Sequence, residues 1–137
     1  MNPVEESVRA VLAADPLLAA STHPDARLES RAPIDSVVGP RTSASGAGML
    51  EGVALIREGH LVHGDGGEIL RTDDRDLAIL AGDLLYAEGR VAATGDLEAV
   101  SMLSALIVEC AAARAGGNGK AAEAAWARTC LLIGGNA

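Results

Sequence analysis

The sequence predicts an all-α fold, an antiparallel helical bundle, and three observations predict it. Nearly half of the 137 residues are apolar, yet the chain has no Phe, one Trp (Trp126) and one Tyr (Tyr86), so leucine, isoleucine, valine and much alanine must fill the core. Alanine and leucine are the strongest helix formers, and small side chains let helices approach closely. Apolar residues also recur at helical spacing in successive segments, with no convincing strand and no sequence repeat. A chain of this length has room for one compact core. Within that single unit, residues 1–46 read as an N-terminal helix with a proline-rich arm, and residues 47–137 as the helical core domain.

Asn2, Pro3 and Glu5 make a helix start: Asn caps, Pro is pre-set for the first helical position, and Glu5 can reach back to the cap amide. A first helix is expected from Pro3 to Ala14, interrupted by Pro16. Pro24, Pro33 and Pro40, with intervening Ser and Asp, break any period between Ser21 and Gly46, leaving an irregular arm with a short helical turn around Asp25 to Ser30. From Ala47, Leu50, Val53, Ile56 (or Leu55), His60 and Val62 mark a second helix ending at His63, where Gly64, Gly66 and Gly67 stop it. Thr72 or Asp73 is placed to cap the third, with Asp76 near its positive end and Leu77, Leu80, Ala81, Leu84 and Leu85 as its stripe, closed by Gly95. Asp96 caps a fourth helix, Leu97 to Ala115, apolar nearly all round and so expected to be covered on more than one side. The Gly116–Lys120 break leads to a last helix from Ala121 to Ile133.

Charge and cysteine content exclude several function classes. Eleven Lys and Arg against 19 Asp and Glu give a net charge of −8, which disfavours a phosphate backbone as partner. The Arg-dense stretch from Arg27 to Arg41 carries acids between its charges. Cys110 and Cys130 fall in apolar helical patterns and read as reduced core residues of a cytoplasmic protein. The N-terminus lacks the pattern of a signal peptide, and the apolar run from Leu97 to Ala113 is interrupted by Glu98 and Glu109, so no transmembrane segment is expected.

Two stretches carry a family resemblance. Leu77 to Gly95, LAILAGDLLYAEGRVAATG, is similar to the helix that follows the substrate-binding loop in trans-prenyl diphosphate (polyprenyl) synthases. Leu55 to Glu68, LIREGHLVHGDGGE, lies where that family has a helix ending in an aspartate-rich motif. Aligning His63 with the motif histidine places Gly64 at the first aspartate, Asp65 at the second and Glu68 at the last. The resemblance, over about Leu50 to Ala115, implies part of the isoprenoid synthase fold. It also implies a degenerate motif at His63, Asp65 and Glu68, because the family's carboxylates hold magnesium ions bridging an allylic diphosphate. One carboxylate is missing, the diphosphate-gripping loop is reduced to Arg71, and the second aspartate-rich half is absent. No catalytic residue and no cofactor are therefore expected, with at most weak Mg2+ at Asp65 and Glu68.

Other readings of the same residues are blander. His60, His63, Asp65 and Glu68 can be arranged as a metal set, since histidines three apart on a helix can face one ion, but His63 also reads as a helix-end residue bonding backbone carbonyls. TDDRD at Thr72–Asp76 reads as a cap, GNGK at Gly117–Lys120 lacks the features of a P-loop, and Asp83 inside an apolar stripe is expected to be buried with an Arg or backbone partner.

In the resembling family, the helices matching Leu77 to Thr94 and Leu97 to Ala115 pack against a partner subunit, which implies an interface through Leu77, Leu80, Leu84, Val100, Leu103 and Ile107. The expected function is a non-catalytic accessory subunit of a prenyl diphosphate synthase, a hetero-oligomer rather than a homodimer, with Tyr86, Leu84 and Met102 near the wall of an elongation tunnel. Two alternatives stand beside it. One is a structural accessory of a membrane-associated or quinone-using assembly, wrapped by the arm and peripheral to the membrane through its partner. The other is a homodimer that binds an isoprenoid or lipid.

Overall fold

The computed structural model describes residues 3–28 and 34–136. Among these residues six α-helices follow one another: α1 (Pro3–Ala13), α2 (Pro16–Ala20), α3 (Gly46–His63), α4 (Arg75–Ala92), α5 (Leu97–Ala115) and α6 (Gly119–Gly134). Two 3₁₀ turns, Ile34–Val37 and Pro40–Thr42, lie between α2 and α3. Among the described residues extended pairing is limited to one isolated bridge, Thr22 with Leu70. The fold is all-α, as the apolar periodicity predicts.

The helix starts follow from local chemistry. Asp15 accepts from the amides of Leu17 and Leu18, so Pro16 opens α2 rather than merely interrupting α1. Asp74 caps α4 through the Leu77 amide, one residue beyond the expected Thr72 or Asp73, while the Thr72 hydroxyl accepts from the Asp74 amide. Asp96 and Asn118 cap α5 and α6 through Ala99 and Ala121. Helix α4 ends at Ala92, before the expected Gly95, and α6 ends on Gly135 in the left-handed region. The proposed cap Asn2 lies outside the described residues. The buried Glu5 carboxylate accepts from the Leu28 amide at 2.8 Å and from Arg9 at 3.4 Å, tying the arm to α1.

Helix α3, not α5, is the covered helix. Every residue from Gly52 to His60 is buried, because α3 contacts α1, α4, α5 and the first 3₁₀ turn. The α4 contact is backbone to backbone. A Cβ on Gly52 would sit 2.6 Å from the Gly89 carbonyl oxygen, and one on Gly59 would sit 2.9 Å from that of Gly82. The buried face of α4 is accordingly Ala78, Ala81, Gly82, Leu85, Tyr86 and Gly89. The expected leucine stripe is only partly inward: Leu77 and Leu84 are half-buried and Leu80 is 66% exposed.

The proline-rich arm is part of the core rather than a free wrap. Leu28, Ile34 and Val37 are buried with the helices in one apolar cluster. The His23 amide donates to the Ile69 carbonyl and the Arg71 amide to that of Ser21, both at 3.0–3.1 Å. Arg41 bonds both carboxylate oxygens of Asp96 as well as Glu98 and the Ile133 carbonyl, and Asn136 donates to the carbonyls of Ser36 and Val38. Of the turn expected around Asp25 to Ser30, Pro24 and Asp25 form a turn closed by the Ala26 amide on the His23 carbonyl at 3.3 Å, while Ser30 lies outside the described residues. No helix among the described residues is long and apolar enough to cross a membrane.

Candidate functional site

The degenerate motif does not assemble. His63 leaves its Asp65–Glu68 neighbours and crosses to α4, where its Nε2 donates to the Ile79 carbonyl at 3.0 Å and lies 3.4 Å from Asp83. Its ring meets Tyr86 edge-on at 5.0 Å between centroids. This position is open because residue 82 is glycine, since a Cβ there would overlap the imidazole. Asp83, expected to be buried against an Arg or a backbone group, is instead exposed on its side chain and faces His63. Asp65 is exposed and Glu68 half-buried, and among the described residues no three His, Cys, Asp or Glu side chains gather to hold a metal.

The acid that organises this loop is Glu58, which sequence spacing did not single out. Fully buried on α3, it accepts from the amides of Glu68 (2.8 Å), Ile69 (3.0 Å) and Leu70 (2.9 Å). Burial pushes its carboxyl above the ordinary range, while the three amides pull it back. Gly67 is required here, because a Cβ would run into that carboxylate. A segment that aligns with a metal motif is thus folded onto an internal carboxylate.

His60 goes the other way. Its Nδ1 is 3.1 Å from Arg114 Nη2, which also donates to the His60 carbonyl at 2.8 Å. A guanidinium only donates, so Nδ1 accepts and the neutral ring carries its proton on Nε2. Burial, with Arg57 and Arg114 alongside, lowers the pKa of His60 to about 4. The Trp126 ring is 5.7 Å away, and the buried Arg57 lies 5.1 Å over that ring while forking onto Glu123 with two 3.0 Å bonds. Cys110 and Cys130 are buried free thiols, the latter pushed by burial to about 12. Neither is poised as a nucleophile.

These groups form the back of a cleft of ≈ 460 Å³ at one end of the bundle, lined by residues that include His60, Leu61, Asp65, Arg75, Arg114, Asn118 and Ala122. The C-terminal ends of α3 and α5 and the N-terminal ends of α4 and α6 meet there. No nucleophile and base are brought together in it. Arg57, Glu58, Arg114 and Glu123 escaped sequence reasoning because their partners lie 10 to 66 residues away.

A second feature is the outer surface of α4 and α5. Leu80 is 66%, Val91 65%, Leu97 75% and Val108 70% exposed. Leu80, Leu84, Ala87 and Val91 recur along one side of α4, and Leu97, Ser101, Ala105 and Val108 along one side of α5. Of the residues expected at an interface, Leu77, Leu84, Val100 and Ile107 are half-buried and Leu80 is exposed. Leu103 is fully buried in the chain's own core and does not belong to that surface. Compared with known proteins, the chain matches no protein-family model, no curated protein and no solved structure.

Proposed function

We propose that this chain is a non-catalytic accessory subunit that pairs through the outer faces of α4 and α5 with a prenyl diphosphate synthase catalytic subunit. The observation that carries the reading is the set of large apolar side chains left open on these two helices, Leu80, Val91, Leu97 and Val108. Apolar side chains left open in this way are stabilised by burial at roughly 25 cal/mol per Å² of area covered, which a partner subunit would supply. The Leu77–Gly95 and Leu97–Ala115 segments, within the stretch that resembles the synthase family, are also the ones that bear Leu80, Val91, Leu97 and Val108. The chain's own contribution is then a wall beside the partner's site, and it carries out no reaction by itself.

The test is co-purification of the tagged chain from its native host, followed by product analysis of any recovered synthase with and without it. Equimolar recovery of a full-length synthase, a changed product chain length, and loss of both in Leu80→Glu/Val108→Asp with unchanged helical circular dichroism are expected. Recovery of an unrelated assembly, or magnesium-dependent turnover of allylic diphosphate by this chain alone, would overturn the proposal.

A further inference from the structure

We infer that the cleft at the meeting of α3, α4, α5 and α6 is a binding site for a small organic carboxylate. The site is separate from the outer α4–α5 surface, so it stands or falls independently of the proposed pairing.

The first observation is a ring donor at the wall of the cleft that no acceptor among the described residues meets. His60 is only 8% exposed and lines the cleft. Arg114 occupies Nδ1, so the ring proton sits on Nε2, and among the described residues no acceptor meets it. Such a donor, neutral and fixed in orientation by Arg114, is suited to a ligand oxygen.

The second observation is the charge around the donor. Arg75 and Arg114 line the cleft, and Arg75 is exposed with no hydrogen bond or ion pair among the described residues. Glu123 also lines it, but its carboxylate is held by Arg57. Asp65 is the remaining acid. Two guanidinium charges without an acid partner among the described residues against one carboxylate leave about one positive charge, in a protein that is otherwise strongly acidic. That balance selects a monoanion over a multiply charged phosphate. Planar guanidinium and carboxylate groups also match in a forked geometry.

The third observation is size and wall chemistry. A cleft of ≈ 460 Å³ falls in the range that holds small molecules, and Leu61 and Ala122 supply apolar contacts for a short carbon chain. The Asn118 amide side chain caps α6 at the same rim, and α6 presents its positive end there.

Trp126 is the sole tryptophan and lies 5.7 Å from the His60 ring, so it reports on the site. The experiment titrates the intact chain with sodium butyrate at constant ionic strength made up with sodium chloride, following Trp126 emission, with butyramide as the neutral control. A saturable change with butyrate, absent with butyramide and weakened about tenfold in Arg75→Gln, is expected, because one charge-assisted hydrogen bond is lost. Arg75 is exposed, so this variant keeps the fold. No saturable response to butyrate, an equal response to butyramide, or an unchanged affinity in Arg75→Gln would overturn the inference. A saturable response to inorganic phosphate without one to butyrate would overturn the carboxylate class.

Discussion

His60 and His63 stand three residues apart on α3, yet they serve different neighbours. One is locked to Arg114 behind the cleft, and the other passes over Gly82 to a carbonyl of α4. Spacing alone places both on adjacent faces of one helix but does not say which groups the other helices bring to those faces. The consequence is measurable for His60, which faces Arg57, Arg114, Glu123 and His63. Its pKa is depressed from 6.5 to about 4, so the unfolded chain binds the proton first as pH falls. Stability associated with the neutral ring is fully present above pH 6.5 and is lost as pH falls from there toward 4, by roughly 2–3 kcal/mol at about 1.4 kcal/mol per pKa unit. In urea unfolding across this range, wild type is expected to lose more stability than His60→Gln, whose amide oxygen still accepts from Arg114. Parallel pH profiles for the two proteins would show that His60 is not held neutral. Glu58 was equally invisible in the sequence, where it sits in an ordinary polar helical context. Only the return of the 67–70 loop makes it a buried acceptor of three amides.

At the scale of elements, the α3–α4 pair depends on missing side chains. Glycine in a helix interior ordinarily costs about 1 kcal/mol relative to alanine, so Gly52, Gly59, Gly82 and Gly89 read locally as weaknesses. Their packing reverses that sign. In Gly89→Ala the new methyl would lie 2.5 Å from Ile56 Cγ1 and 2.6 Å from the Gly52 carbonyl oxygen, and in Gly52→Ala it would meet the Gly89 carbonyl oxygen at 2.6 Å. Each is expected to destabilise the fold by about 2 kcal/mol or more, with overpacking against backbone outweighing the gain in propensity. Gly46→Ala, at the start of α3 with nothing near its Cβ, is expected to be neutral or slightly stabilising. Thermal unfolding of the three variants checks this, and equal behaviour would mean that the helices are not in backbone contact. Of the expected stripe, Ala81 and Leu85 are fully buried, whereas Leu77 and Leu84 are half-buried and Leu80 is exposed, for the same reason: the buried face of α4 is made mostly of small residues, Ala78, Ala81, Gly82 and Gly89.

At the scale of the molecule, the N-terminal third is part of the only large apolar cluster among the described residues. Leu12, Ile34 and Val37 are fully buried beside α3 and α6 residues such as Val53, Ile56 and Ile133. Division at residue 46 therefore marks a change of texture along the chain, not a seam in the core. The full chain is expected to unfold in urea in one transition, with Trp126 fluorescence and helical circular dichroism coinciding, as small single-core domains do. A chain beginning at residue 47 is expected to lose that cooperative transition, because it exposes the apolar surface that α1 and the first 3₁₀ turn cover. A truncated chain that unfolded as cooperatively as the whole would show the arm to be dispensable to the core.

By itself the sequence determined that this protein is helical and where its four long helices lie to within about two residues at most ends. Those properties are set by near neighbours: apolar residues at helical spacing, Asp and Asn at starts, glycines at breaks. Tertiary structure decided which faces are covered and which polar groups meet. The covered helix proved to be α3, the buried acid Glu58, the partner of His63 a carbonyl of α4, and the open apolar surface the outer sides of α4 and α5. A helix forms from bonds four residues apart, but burial and pairing depend on side chains tens of residues away, whose approach is set by the packing of whole helices.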